Sequence, residues 1–556
     1  MTTTFDPPTG WPAALPRPWP DRLSVYHLAA VLDGDTPGAP MVPLVTWLPA
    51  DLDTPVSAYL KLTGGDTDTG FGFLLESIHG GDHPGRWSFM GVNPTQQLRV
   101  DPGVVDPLAA LAAQVAAWRV VVAPDAPWPP FIGGAVGYMG YEAVGAFEPV
   151  PPAAHDPHGL PLALFGLYDT VVAFDHAFAQ MQVISFAALS GDLAATYTAA
   201  EERIAAVCAR LTGPLPSRQS SVLGRQTAGA RGSGSGVRGQ EPVGGRQSAV
   251  GGRQSSLDED LDGSPARPSN SDNPQSAIRN PQSNCTPAEY ETMVLRAQAH
   301  IAAGDVIQVV LSQRFTRPTP AAPFAVYRAL RALNPSPYLF YLQLGDFQLI
   351  GASPEMLVQV RDGAIATHPI AGTRPRGEGA AQDTALAADL LADPKERAEH
   401  LMLVDLARND VGRVAAIGSV AVPRLFEIEH YSHVMHIVSR VTGQLRPGFT
   451  SVAALQACFP AGTLSGAPKV RAMQIIAELE RDQRGPYGGA VGYLSVSGNL
   501  DMAITIRTIM LRDGVATVQA GAGIVTDSVP TGEAAECANK ARALFVALDR
   551  AEGADA

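Results

Sequence analysis

The sequence predicts an α+β protein whose large, mostly antiparallel β-sheets pack as a sandwich with helices outside. Two patterns and a size argument lead to that class. Beyond residue 285, strand-like runs (IQVVLSQRF, YLFYLQL, FQLIGASP, VGYLSV, AITIRTIML, VATVQAGAGIV) are interleaved with helices, without the strict βαβ alternation of a doubly wound sheet. Across residues 24–212, short β-rich runs such as PLVTWLP, GRWSFMGVNP and LYDTVVAFDH alternate with turns. A chain of 556 residues, 46% apolar and 17% charged, can bury a large core.

Four stretches follow in order. Residues 1–23 form an N-terminal extension with no basic start and no apolar run, so no secretory signal is predicted. Residues 24–212 close with an Ala-rich amphipathic helix from Asp192 to Leu211. Residues 213–284 are rich in Gly, Ser, Gln, Arg and Pro, with GGRQS at 244–248 and 251–255 and NPQS at 273–276 and 280–283. Such a composition cannot offset chain entropy by burial, so this stretch is expected to be a disordered low-complexity loop. Residues 285–552 then open with a helix at Thr286-Pro287-Ala288-Glu289, where a capping Thr, a Pro at the first position and a Glu three residues on complete a capping box.

The formal net charge of −14 argues against nucleic acid or an anionic membrane as the main partner. The four cysteines (Cys208, Cys285, Cys458, Cys537) are far apart, which excludes a disulfide framework or a CxxC zinc site. With no apolar stretch of membrane-spanning length either, a cytoplasmic protein is the expectation.

Two helices carry paired carboxylates. Glu396 and Glu399 share a face of a helix opened by Asp393-Pro394, and Glu533 and Glu536 repeat that spacing with Lys540 one turn later. Two such faces could meet around a hard divalent cation. The same spacing also serves plain structure: Glu396 as a capping residue, Glu536 with Lys540 as an i,i+4 pair of ~0.3 kcal/mol. Arg507 in AITIRT can grip a carboxylate bidentately, and Gly521-Ala522-Gly523 lets backbone approach a ligand. FPAGTLSGAPK lacks the spacing and terminal Lys-Ser/Thr of a phosphate loop. His433 and His436 form a His-x-x-His pair, a spacing compatible with packing or catalysis.

In order and identity, GASPEML, HPIAGTRPRG, KERAEHLMLVDLARND, HYSHVMHIVSRVTG, FPAGTLSGAPK, GPYGGAVGY, ITIRT, AGAGIV and GEAAECANKAR resemble the chorismate-utilising enzymes. PVSAYLKL, FLLES, RWSFMG and FIGGAVGYMGYE extend the resemblance over roughly residues 24–550; the low-complexity loop departs from it. The resemblance implies Mg²⁺ held by Glu399 and Glu536, with Glu396 and Glu533 as water-mediated ligands or supports. It implies chorismate contacts at Gly372, Thr373, Thr463, Tyr487, Arg507, Gly521, Ala522 and Gly523, with Lys540 nearby. It selects His436 as catalytic, with His433 as support, and Glu355 as the acid that protonates the departing ring hydroxyl. A buried salt bridge is the alternative for Glu355.

Family members differ in the nucleophile delivered to the ring. Water-adding members resemble one another in a Lys before VLS, where this chain has Gln308; aminodeoxychorismate synthases carry Lys in the third position of a PIKGT block, where it has Ala371. The two absences of lysine match the anthranilate-forming members, which join ammonia to chorismate and release pyruvate. No Gly-x-Cys-x-Gly elbow surrounds any cysteine, so the resemblance implies a separate glutamine amidotransferase subunit as ammonia source. LLES and NPSPYLF resemble the tryptophan feedback site, implying effector contacts at Ser77, Pro337, Tyr338 and Leu339. The rival readings are an aminodeoxychorismate synthase large subunit and a catalytically silent tryptophan-sensing subunit.

Overall fold

Local chemistry sets the helices where the sequence places them. Thr286 and Glu289 form the expected reciprocal capping box at the head of helix Pro287–Ala302. Asp192 caps helix Leu193–Leu211 through the backbone N–H groups of Ala194 and Ala195. Asp393 does the same for helix Pro394–Gly412 through Lys395 and Glu396, which leaves the Glu396 side chain free of capping duty. The computed structural model describes residues 18–31, 38–77, 85–122, 128–216, 280–431 and 434–554. Most of the low-complexity stretch lies outside the described residues. Its C-terminal end does not stay a loop: Gln282–Ser283 adds a short strand to a sheet, and the Asn284 amide donates to the Arg314 carbonyl at 2.9 Å.

Two sheets form the sandwich. The larger runs in the order β10 (Gln282–Ser283), β11 (Gln308–Pro318), β23 (Val515–Ile524), β22 (Thr508–Arg512), β13 (Phe347–Ser353), β12 (Tyr338–Leu344), β2 (Phe71–Glu76), β3 (Trp87–Val92), β8 (Thr170–Asp175), β9 (Gln180–Ala188), β1 (Ala39–Pro49) and β5 (Trp118–Val120), with β19 (Gly466–Ala467) beside β11. The smaller runs β16 (Ile370–Pro375), β18 (Val434–Gln444), β15 (Ala364–Thr367), β14 (Met356–Arg361), β21 (Leu500–Ile504), β20 (Ala490–Ser495), β6 (Gly134–Met139), β7 (Ala163–Tyr168) and β4 (Gln96–Val100), with β17 (Ala421–His430) beside β18. Among the described strands only β1 and β5 pair in parallel. The stretches before and after the low-complexity segment both contribute to each sheet, because β2 pairs with β12 and β6 with β20.

Burial follows the layers. Phe73, Phe89, Phe131, Tyr138, Phe347 and Tyr493 fill the space between the sheets. Helices Leu193–Leu211, Pro323–Leu333 and Pro530–Ala554 cover the outer face of the larger sheet through Tyr197, Tyr327 and Phe545. Val404, Val411 and Leu455 cover the smaller one from helices Pro394–Gly412 and Ser451–Cys458. Among the described residues no helix is long and apolar enough to cross a membrane.

Two adjacent crossings from one sheet to the other position the site. Pro354–Glu355 joins β13 to β14, and Thr505–Arg507 joins β21 to β22. Backbone bonds tie the crossings together: Ala352 N–H to the Arg507 carbonyl and Ile504 N–H to the Glu355 carbonyl, each at 3.1 Å. Arg507 turns through φ 47°, a left-handed conformation that its ordered neighbours must hold.

Candidate active site and effector cavity

Glu355 sits in the first crossing, 8% exposed. Burial pushes its carboxyl up to about 8, against the opposing pull of Thr463, Arg507 and Lys540. Its partner is the Thr463 hydroxyl, which donates to Oε1 at 2.9 Å from the short helix Gly462–Ser465. Among the described residues no salt bridge holds Glu355, and burial favours its neutral form. Arg507 approaches from the second crossing, and among the described residues its guanidinium makes no hydrogen bond or ion pair. Desolvation lowers its pKa, yet the residue stays exposed to solvent.

His436 lies on β18 opposite Thr373 of β16, where the register slips between Ala371 and Thr373. The slip turns the Gly372 carbonyl toward the imidazole, 2.9 Å from Nδ1, with the Thr373 hydroxyl 3.1 Å from the same nitrogen. A carbonyl only accepts, so Nδ1 carries the proton and Nε2 presents a lone pair. Burial lowers the pKa of the ring below its ordinary value, favouring that neutral form. Gly372 sits at φ 74°, and a methyl group there would lie 3.1 Å from the Glu396 carboxylate. His433 lies outside the described residues.

The strand pair β11–β23 builds a second wall. Val310 pairs with Gly523, Leu311 with Ala522 and Ser312 with Gly521. A methyl on Gly521 would lie 2.7 Å from the Tyr487 hydroxyl, and one on Gly523 would lie 2.7 Å from Gln308 Nε2. Close approach requires glycine at Gly521, where the Leu311 carbonyl also lies 2.8 Å away, whereas at Gly523 a methyl would displace the end of the Gln308 side chain. Lys540 Nζ donates to the Gly521 carbonyl at 2.9 Å, and Gln308 Nε2 donates to Glu399 at 3.0 Å. The Gln308 amide is thus engaged by a carboxylate.

Glu396 and Glu533 have raised pKa values, from burial and then from the negative charge of Glu399 and Glu536 respectively. Each pair therefore repels itself, and carboxylate oxygens are the donor type that a hard divalent cation takes. Local partners hold the acids meanwhile: Arg374 lies 3.6 Å from Glu396, and Lys540 lies 2.7 Å from Glu536. The latter is the i,i+4 pair that the spacing allowed. Among the described residues no three His, Cys, Asp or Glu side chains gather about one point.

The two tryptophan-like motifs are hydrogen-bonded neighbours, because β2 and β12 pair Glu76 with Leu339 and Leu75 with Phe340. Ser77, Pro337, Tyr338 and Leu339 line one cavity of about 510 Å³ between the sheets, walled also by Trp87, Phe89 and Tyr493. Asp501 forms its polar floor, accepting from the Tyr338 hydroxyl at 3.1 Å and from Gln359 at 2.5 Å. Tyr431 reaches that cavity too. Tyr431 and Asp501 escaped the sequence reading: the first lies inside the HYSHVMH block as an unremarkable aromatic, the second in a strand with no motif.

The fold and this site define a chorismate-binding enzyme, and the model of that family, the chorismate binding enzymes, matches residues 243–546. Anthranilate synthase component 1 of Acetivibrio thermocellus is 40% identical over 529 residues, covering 92% of this chain and 96% of its own. Its counterpart from Pseudomonas putida is 42% identical over 550 residues, covering 96% and 99%. The crystal structure of anthranilate synthase component I from Streptococcus pneumoniae TIGR4 matches with a TM-score of 0.66 at 35% identity, covering 90% of this chain and 99% of that one. The chain belongs to the chorismate-binding enzymes, within the anthranilate synthase component 1 family.

Proposed function

We propose that this chain is the synthase subunit of an anthranilate synthase, joining ammonia to chorismate and releasing pyruvate. The observation that carries the product assignment is the chemistry at two positions. Ala371 ends in a methyl group on β16 beside Gly372, and the Gln308 amide is uncharged and bonded to Glu399. Neither position offers an amine to attack the ring or a base to activate water, which leaves ammonia as the nucleophile.

Arg507 receives one substrate carboxylate, with the Gly521–Gly523 backbone and the Tyr487 hydroxyl closing the pocket around it. Glu399 and Glu536 would hold Mg²⁺, with Glu396 and Glu533 supporting them. Bound there, the ion would neutralise the ring carboxylate and polarise the ring. Glu355, neutral because it is buried, gives its proton to the hydroxyl leaving carbon 4 while ammonia bonds to carbon 2. The ammonium formed at carbon 2 loses one proton to solvent. His436 then takes the proton from carbon 2 at Nε2, the electron pair left behind aromatises the ring as the carbon 3–oxygen bond breaks, and the enolate that departs becomes pyruvate by taking up a proton at its methylene carbon. The Gly372 carbonyl stabilises the imidazolium so formed.

The ammonia comes from a separate glutamine amidotransferase subunit, since the four cysteines here are dispersed, three of them buried. Tryptophan would occupy the cavity lined by Ser77, Pro337, Tyr338 and Leu339 and restrain the enzyme by preferring one arrangement of its walls. Purified protein given chorismate, Mg²⁺ and ammonium should form anthranilate and pyruvate, with almost none from glutamine alone. Aminodeoxychorismate or isochorismate as the only product overturns the reading.

A further inference from the structure

Arg484 is the most deeply buried cation among the described residues. It is 1% exposed, and every nitrogen of its guanidinium makes a hydrogen bond. Nε and Nη2 grip Glu480 at 2.8 and 2.6 Å, Nη1 donates to the Leu464 carbonyl at 2.7 Å, and Nη2 donates to the Val310 carbonyl at 2.8 Å. Its plane lies 4.5 Å from the Tyr141 ring centroid and 5.6 Å from that of Tyr487. Glu480 returns the contact by accepting the Ser312 N–H at 2.8 Å and the Ser312 hydroxyl at 3.0 Å. Glu142 secures the backbone from the other side, accepting the N–H groups of Arg484 and Gly485 at 2.6 and 3.0 Å.

A buried ion pair is weak evidence for stability, because desolvation offsets its attraction. Its location is what distinguishes this one. Leu464 follows Thr463, the partner of Glu355; Val310 pairs with Gly523 and Ser312 with Gly521; Tyr487 faces Gly521. One rigid planar group thus joins the acid's hydroxyl partner, the glycine wall and the tyrosine.

We propose that Arg484 is a positioning residue: it fixes the Thr463–Glu355 hydrogen bond and the Gly521–Gly523 wall relative to each other, an inference that rests on the chorismate reading of this pocket. Lysine cannot replace it, since an ammonium lacks the planar fork that reaches two carbonyls and a carboxylate while stacking between two rings.

Arg484→Lys tests this with chorismate, Mg²⁺ and a constant concentration of free ammonia across pH. A shift of even ~1 Å in a reacting group can cost about 100-fold, so kcat should fall by about 10- to 100-fold in protein that retains its near-ultraviolet circular dichroism. The alkaline limb of the profile should also move to higher pH. Thr463, Arg507 and Lys540 are the groups that hold the Glu355 carboxyl down, and the variant loosens the first. In a Thr463→Val background, adding Arg484→Lys should move the limb no further. A folded Arg484→Lys enzyme with the parent's kcat and limb overturns the proposal, as does an equal displacement in both backgrounds. If Arg484→Lys does not fold, Glu480→Gln, which frees the guanidinium without deleting it, is judged by the same two outcomes. A parent protein that forms no anthranilate defeats the reading of the pocket; an active parent with an unmoved limb defeats only the role of Arg484.

Discussion

Tyr431 stands edge-on to His436, ring centroids 5.4 Å apart at 67°, and the same tyrosine borders the 510 Å³ cavity that holds the tryptophan-like motifs. One side chain is therefore shared by the wall of that cavity and the surroundings of His436. Its hydroxyl donates to Glu429 at 3.0 Å, and its carbonyl accepts from Arg376 at 2.7 Å, so any movement of the ring is tied to neighbouring polar groups. Tyr431→Phe keeps the ring and removes the Glu429 bond. We expect kcat without effector to change by less than about threefold, while the tryptophan concentration for half inhibition rises by about tenfold, within the usual range of coupling energies. Inhibition curves for the two proteins check this; superimposable curves would remove Tyr431 from the coupling.

The neutral acid at Glu355 makes a prediction about pH. A carboxyl raised to about 8 is protonated at neutral pH, so the step it assists proceeds below that value and fades as pH rises through it. His436 must be neutral to accept a proton, so activity rises with pH through a value below the ordinary histidine range. The profile of kcat at constant free ammonia should be bell-shaped. Glu355→Gln should lower kcat by about 10²- to 10⁴-fold and abolish the alkaline limb. An alkaline limb surviving in that variant would assign it to another group.

Arg507 should behave as a binding group. Lysine would keep the charge and lose the fork, so Arg507→Lys should raise the KM for chorismate by about 10- to 100-fold with a smaller loss in kcat. Initial-rate kinetics distinguish this from a pure kcat effect, which would place the residue in the chemical step instead.

Gly523 should report on the carboxylates. A methyl there would meet the Gln308 amide at 2.7 Å and drive it from Glu399. Gly523→Ala should weaken the Mg²⁺ concentration dependence of activity by about tenfold, the scale expected when a group supporting a ligand is disturbed. An unchanged Mg²⁺ titration would separate Gln308 from the metal site.

Stability has its own test in Lys469, which lies 2.7 Å from Asp410 in an almost fully buried pair. Burial raises the Asp410 pKa even with that partner present. Lys469→Ala strands a buried carboxylate and should cost about 3–5 kcal/mol, read as a lowered Tm or denaturation midpoint. Lys469→Met, which fills the space but leaves the acid alone, should recover little of it.

Much of this was legible in the chain. A capping box with Pro at the first helical position located the helix Pro287–Ala302, and strand-like runs located strands such as Gln308–Pro318, because those signals are local. Strand order was not, since β2 with β12 and β6 with β20 pair residues more than two hundred positions apart. Likewise, motif blocks named Glu355, His436 and Arg507, yet nothing local says that a bulge at Gly372 would fix the histidine tautomer. Nor does sequence show that Gln308 would reach Glu399, or that Arg484 would join Leu464 to Val310. Long polar contacts of this kind depend on how the two sheet crossings meet.

The central claim is the product. Incubation of the purified chain with chorismate, Mg²⁺ and ammonium, followed by anthranilate fluorescence and a pyruvate assay, tests it most directly. Equimolar anthranilate and pyruvate are predicted; isochorismate or aminodeoxychorismate accumulating in their place would contradict the reading of Gln308 and Ala371.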